Sequence, residues 1–320
     1  MPKAISTTTK SSLYNFGNVN FGTPTKQQTV YEQFEKLQIL EEIDTKKIVI
    51  AYAVTFGPLA ICFLGCLFPY LSAFRRNLHA HGGSPLLPMI THTYRTIKFN
   101  YTMFFVFGIL TGVFATIPNG FAVVNFSLRM FLIFAWAVTL YVSMYQLAIS
   151  ILSIHRFINS RQPEELRGNL TRKNVIVLMV VIFLVVILKD VAWVAYFIAA
   201  LISGKSEMID TVLMYYSMIY VTYQILLFIG MVFQFSISEQ PKSHSEYCIV
   251  THTKYIGLTK LILGVTCFVC YILRIETMLA SMLFFSIDIF LVPVVVQLTE
   301  IRANPNVIIP TEMKKVAMSA

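Results

Sequence analysis

Charge is scarce in this sequence: Asp, Glu, Lys and Arg make up 13% of its 320 residues, against roughly 25% in a soluble domain. With 56% hydrophobic residues and a mean hydropathy of +0.68, that scarcity excludes an ordinary soluble chain, so length does not count domains here. Cysteine is also sparse, with five. Cys62, Cys66, Cys267 and Cys270 lie in apolar runs and Cys248 in a connection. Cys267 and Cys270 form a CxxC, but without a second pair, so they read as small core residues and no metal site is expected. HExxH, GxSxG, a Walker loop and paired carboxylates are all missing, and the six histidines are scattered, with His79, His81 and His92 in one loop. Catalysis and a bound cofactor therefore have no support. The net charge of +9 is dispersed among short connections, with no basic stripe interleaved with aromatics, which argues against nucleic acid. The first 47 residues hold no apolar stretch of signal-peptide type, so the first span is expected to direct insertion. Internal repeats and inverted pairs of broken helices are missing too.

What the sequence does have is seven apolar runs. A bilayer core of roughly 30 Å needs about 20 helical residues. Runs at 48–74, 99–118, 130–153, 175–202, 211–237, 256–273 and 278–298 meet that length. The fourth is interrupted by Lys189-Asp190, but each half alone is too short to cross. The expected architecture is an all-α membrane protein, a seven-transmembrane helix bundle.

Orientation follows from the connections. Arg75, Arg76, Arg95, Lys98, Arg156, Arg161, Arg167, Arg172, Lys173, Lys242, Lys254, Arg302, Lys314 and Lys315 fall on one side, and only Arg129, Lys205 and Arg274 on the other. Cytoplasmic loops concentrate Lys and Arg. The N-terminus is thus expected outside and the C-terminus inside, the later loops outweighing Lys46-Lys47 before the first span. The organisation becomes an extracellular segment 1–47, a transmembrane domain 48–298 and a short cytoplasmic tail 299–320. Residues 1–30 are rich in Ser, Thr, Asn and Gly, as in a disordered tail. Tyr31, Phe34, Leu37, Leu40 and Ile43 recur at helical spacing, which predicts an amphipathic juxtamembrane helix over 31–47.

Polar residues inside the spans narrow the functional candidates, because in hydrocarbon they face the bundle interior. Thr139, Ser143, Gln146, Ser150 and Ser153 recur at intervals of four and three, on one face of the third helix leading to Arg156. This face reads as a packing seam and as a link from an outer pocket to the inner surface. Tyr216, Tyr220 and Tyr223 share a face of the fifth helix, and tyrosine offers an apolar body with a polar tip for a small organic ligand. Thr139, Ser143, these three tyrosines and Tyr271 on the sixth span are the pocket candidates. Asp288 lies mid-span in the seventh, five residues before Pro293, which predicts a kink. A buried carboxylate needs a partner; Lys260 sits near the inner end of its span and is expected to snorkel outward. Lys189 and Asp190 are adjacent, projecting about 100° apart, and are not expected to face one point.

Several stretches together resemble the nematode seven-transmembrane chemoreceptor superfamily, and most closely the serpentine receptor class Z. They are Phe68-Pro69-Tyr70 with Arg76-Asn77, the run from Pro88-Met89-Ile90-Thr91-His92 to Lys98, Ser153-Ile154-His155-Arg156-Phe157 followed by Pro163-Glu164-Glu165, and Asp288-Ile289-Phe290 through Pro293 to Gln297. The likeness spans residues 60–300. It implies a G-protein-coupled-receptor-type fold, detection of an environmental small molecule, a heterotrimeric G protein as partner, and a place in the plasma membrane of a sensory cilium. His155-Arg156 stands where rhodopsin-like receptors carry their acidic-Arg motif, which makes His155, Arg156, Asp288 and Pro293 the switch candidates. The sequence departs from the rhodopsin-like pattern in lacking the usual outer disulfide, a carboxylate in helix two, a proline in helix six after Cys267-Cys270 and an adjacent Asn-Pro in helix seven. Two other function classes fit the same chain: an inverted odorant-gated channel with its N-terminus inside, and a secondary transporter using Lys189, Asp190 and Asp288.

Overall fold

The computed structural model describes residues 45–117, 121–203, 206–272 and 277–303. The polar tail, most of the 31–47 segment and the C-terminal tail beyond 303 lie outside the described residues. Among the described residues seven long helices follow one another: α1 (Thr45–His81), α2 (Leu87–Phe114), α3 (Phe121–Arg161), α4 (Arg172–Ser203), α5 (Ser206–Ser236), α6 (His244–Ile272) and α7 (Thr277–Arg302). Among the described residues, five of them, α1 to α5, are long and apolar enough to cross a membrane. Each of the seven predicted spans overlaps one of these helices, with those at 99–118, 211–237 and 256–273 running past the helix ends.

The helices overrun the spans where polar sequence was expected to be loop. α1 continues to His81, α2 begins at Leu87 rather than 99, and α3 runs on to Arg161. Helix geometry needs only backbone bonds, so it extends past the apolar stretch until a breaker intervenes. For α3 the breaker is Pro163, after which Glu164–Leu166 form a 3₁₀ turn. The next helix has a hydroxyl cap, with the Asn174 amide donating to Thr171 Oγ1 at 3.2 Å. At the start of α6 the Glu246 amide donates to Ser243 Oγ (3.2 Å), while Glu246 Oε2 accepts from the Lys242 amide (2.7 Å). This is a close variant of the capping box.

α3 is the central strut, packed against α2, α4, α5, α6 and α7, while α1 lies along α7 and α6 along both α5 and α7. The core residues Val138, Tyr141, Tyr145 and Ile149 all come from α3. α1 meets α2 through aromatic rings, with Phe74 stacked on Tyr94 at 4.0 Å between centroids and Phe63 against Tyr101 at 4.7 Å. Elsewhere small residues bring backbones together. A Cβ on Gly230 of α5 would meet the Ser150 Cα at 3.3 Å, and one on Gly257 of α6 would meet Met231 Cβ at 2.9 Å. Close approach at small residues is the packing mode available when lipid removes the hydrophobic drive between helices. The outward face matches that solvent: α4 turns Val177, Val180, Val181, Leu184 and Leu188 away from the bundle.

Pro293 sits inside α7. It has no N–H for the carbonyl of Ile289 four residues earlier. The structure supplies another donor. Residues Ile97–Tyr101 of α2 form a π turn, and Tyr101 Oη donates to that carbonyl at 2.6 Å. Side chains from neighbouring helices commonly satisfy groups that a membrane proline frees.

Candidate functional site

Four helices contribute to one polar group at mid-bundle. Asp288 of α7 and Lys260 of α6 are both buried and form an ion pair. Lys260 therefore does not snorkel outward, as its position in sequence suggested; the carboxylate it would abandon keeps it inside. Tyr220 of α5 donates to Asp288 Oδ2 at 2.8 Å and accepts from Lys260 Nζ at 2.7 Å. Gln146 of α3 donates to the same carboxylate oxygen at 3.3 Å and accepts from Gln224 at 3.4 Å. A buried ion pair is supported by further hydrogen bonds, and Tyr220 and Gln146 supply them to Oδ2, while Oδ1 of Asp288 has no hydrogen-bond partner among the described residues.

The tyrosine face of α5 divides. Tyr220 joins Asp288, whereas Tyr216 and Tyr223 turn toward α4, where Lys189 Nζ lies 4.7 and 5.7 Å from their ring centroids. Trp193 packs against Tyr216 at 5.2 Å. The expectation that Lys189 and Asp190 face apart is corrected: the long lysine stem folds back so that Nζ lies 2.6 Å from Asp190 Oδ1. Trp136 Nε1 also donates to Asp190, at 3.2 Å.

The seam on α3 leads from this group to one end of the bundle. Thr139 bonds back to the Ala135 carbonyl and Ser143 is half-buried on the same face. Gln146, Ser150 and Ser153 are buried. Ser150 donates to the Gln146 carbonyl at 2.6 Å, and Ser153 shares a 3.0 Å hydrogen bond with Thr253 of α6. One turn on stands Arg156, whose guanidinium reaches three partners. Nε donates to Glu246 at 2.5 Å, Nη1 to Gln234 at 2.7 Å and Nη2 to the Glu239 carbonyl at 2.8 Å. Arg156 thus bridges the end of α5, the following connection and the start of α6. His155 is exposed beside it. Both line a cavity of about 510 Å³ with Gln234, Glu239, Lys242 and His244. The side chain of Tyr271 lies outside the described ones, and Pro293 stands five residues beyond Asp288 inside the continuous helix α7.

Sequence reasoning missed a second buried cluster at this same end. His81, placed in a loop by sequence, is the last residue of α1, and it meets His244 and Cys248 of α6 and Glu300 of α7. Glu300 lies beyond the seventh span. Burial alone would raise its carboxyl, but the His244 ring beside it, hydrogen bonds from His81 and Asn77 and the His81 charge hold it well below the usual carboxylate range. Burial pushes the neighbouring His252 ring down to about 4, so it stays neutral, and its Nδ1 shares a 2.5 Å hydrogen bond with Tyr145 Oη. The spacing of His244 and Cys248, four apart on a helix, was the available signal; their partners are too distant in sequence to be read.

Compared with known proteins, residues 53–305 match the family described as serpentine type 7TM GPCR chemoreceptor Srz. No curated protein and no solved structure matches the chain.

Proposed function

We propose, from the premise that this chain belongs to the serpentine-type seven-transmembrane chemoreceptor family Srz, that it detects a small environmental molecule at the Asp288 group and signals through the Arg156 end. The N-terminus lies outside in this reading, supported by the concentration of Lys and Arg in the connections on the Arg156 side. A heterotrimeric G protein is the partner at the 510 Å³ cavity, whose walls carry Arg156, Arg167 and Lys242. The membrane is then the plasma membrane, in a sensory cilium.

The observation that carries the reading is the run of polar contacts along α3. The Lys260–Asp288–Tyr220 group bonds Gln146, Ser150 bonds Gln146, and Ser153 accepts from Gln234 through its carbonyl at 3.3 Å; Gln234 in turn accepts from Arg156. A ligand that takes over a hydrogen bond from Tyr220 or Asp288 favours one arrangement of α5 and α6 over another, and such differential affinity is the only way a ligand shifts an equilibrium. Arg156 holds α3 to α5 and α6 at the other end, where a change in their separation opens or closes the cavity. Thr139, Ser143, Tyr216, Tyr223 and Tyr271 complete the pocket side of this scheme; His155 and Pro293 belong to the coupling side.

A ligand panel read by calcium or cAMP in cells expressing the chain tests this directly. The reading expects at least one volatile or water-soluble compound to raise a signal that untransfected cells lack, and expects Arg156→Ala to remove it while surface expression remains. A ligand response of normal strength in Arg156→Ala would sink the proposed switch.

One observation favours a second reading. Charged pairs inside a membrane, such as Lys260–Asp288 and Lys189–Asp190, also mark ion and proton pathways of secondary transporters. Substrate uptake lost in Asp288→Asn but kept in Arg156→Ala would select that reading over the receptor.

A further inference from the structure

The geometry points to a zinc site at the Arg156 end of the bundle, formed by His81, His244, Cys248 and Glu300. All four side chains are buried, and their donor atoms lie within 4.8 Å of one another. A tetrahedron with zinc bonds of ~2.0–2.3 Å has edges of roughly 3.3–3.6 Å. Here His81 Nε2 is 3.2 Å from Glu300 Oε1, Cys248 Sγ is 3.6 Å from Glu300 Oε2, and His244 Nε2 is 3.9 Å from both Cys248 Sγ and Glu300 Oε1. With one oxygen of Glu300 as the ligand, side-chain rotations that draw the widest pair, up to 4.8 Å apart, in by about 1 Å bring the set to the tetrahedral values.

The donor set selects the ion. One sulfur, two imidazole nitrogens and one carboxylate suit zinc, whereas magnesium and calcium prefer oxygen. When the ion binds, the Cys248 thiol and the charged His81 ring each give a proton to solvent. Thiolate, carboxylate and two neutral imidazoles around a divalent cation then leave the site without net charge, as burial favours.

Two of the four ligands are held as metal ligands are, while Nδ1 of His244 has no hydrogen-bond partner among the described residues. Zinc-ligating histidines usually donate or accept through the far ring nitrogen, and ligating carboxylates are themselves hydrogen-bonded. His81 Nδ1 bonds Ser245 Oγ at 2.9 Å, which turns Nε2 toward the centre. Asn77 Nδ2 donates to Glu300 Oε1 at 3.0 Å and fixes the carboxylate. His244 and Cys248, four apart, present two ligands from one face of α6, while His81 ends α1 and Glu300 lies near the end of α7. His244 also lines the 510 Å³ cavity, which gives an entry path. An ion here staples the ends of three helices, with the α1 and α7 ligands 219 residues apart in sequence. The site does not depend on which way the chain faces the membrane.

The test uses the full chain purified in detergent micelles, stripped with a chelator and titrated with Zn²⁺ and then with Co²⁺ as a coloured substitute. The inference expects about one equivalent of tightly held zinc per chain. It also expects a tetrahedral cobalt spectrum with a thiolate-to-cobalt charge-transfer band. Cys248→Ser should abolish that band and weaken zinc binding at least about tenfold, the lower range for disturbing a metal site, while Cys62→Ser leaves both intact. Cobalt bound to the unaltered chain with an octahedral, aqua-like spectrum and no thiolate band would overturn the site, as would zinc uptake equal in the unaltered chain and Cys248→Ser. The unaltered chain's spectrum decides the matter even if a variant folds poorly.

Discussion

Tyr101 Oη donates at 2.6 Å to the carbonyl of Ile289, the group that Pro293 leaves without its helical partner. The π turn at Ile97–Tyr101 belongs to α2, so the irregular turn of one helix carries the donor that a proline removes from another. Tyr101→Phe should lower the stability of the purified protein by about 1 kcal/mol, because a buried carbonyl loses its donor. Adding Pro293→Ala restores an N–H at the right place and should recover most of the loss. Thermal unfolding of the four variants in a cycle checks this; simple additivity would mean the bond does not exist.

Lys260 and Asp288 should behave as a pair. Removing one charge leaves the other buried and unpaired, a loss of about 3–5 kcal/mol. Lys260→Met and Asp288→Leu are each expected to reduce surface expression sharply, and the double variant to regain much of it. Tyr220→Phe, which removes one hydrogen bond to Asp288, should cost less than either single charge change. Flow cytometry of surface-tagged cells measures all four.

Gly257 and Met231 set the spacing of α5 and α6. Ala at 257 would place its Cβ 2.9 Å from Met231 Cβ and 2.8 Å from Sδ. The sulfur can rotate away, but Cβ is fixed to the Met231 backbone, so the helices must part, at about 1–3 kcal/mol. Gly257→Ala should depress the thermal midpoint, and Met231→Ala in the same chain should restore it. Equal midpoints for Gly257→Ala and the unaltered protein would show that the two helices are further apart than described.

Arg156 and Glu246 make a second kind of prediction, about signalling. If their 2.5 Å contact holds α6 against α3 at rest, Glu246→Gln should raise ligand-independent signalling while Arg156→Ala removes the ligand response. Dose–response curves at matched surface expression separate the two effects. A Glu246→Gln basal signal no higher than that of the unaltered chain would count against the resting-state role.

Features carried by one helix were legible in sequence. The seven runs needed only apolar length, and the Gln146, Ser150, Ser153 face needed only helical periodicity. Features joining distant segments were not. Lys260 and Asp288 are on different helices, and the favourable route to water for a lysine near a span end hid their pairing. His81 and Glu300 meet only because α1 and α7 lie side by side, which no local pattern states. Lys189 and Asp190 failed for a subtler reason: the projection of Cβ atoms limits short side chains, but a lysine stem is long enough to return.

Orientation underlies the whole account, because it decides which end binds the ligand and which meets the G protein. Epitope tags inserted after Ile5 and after Ala320, stained in intact and in permeabilised cells, measure it directly. The account predicts that the tag after Ile5 stains in intact cells and the tag after Ala320 only after permeabilisation. The reverse pattern would contradict it and leave an inverted, channel-type protein in its place.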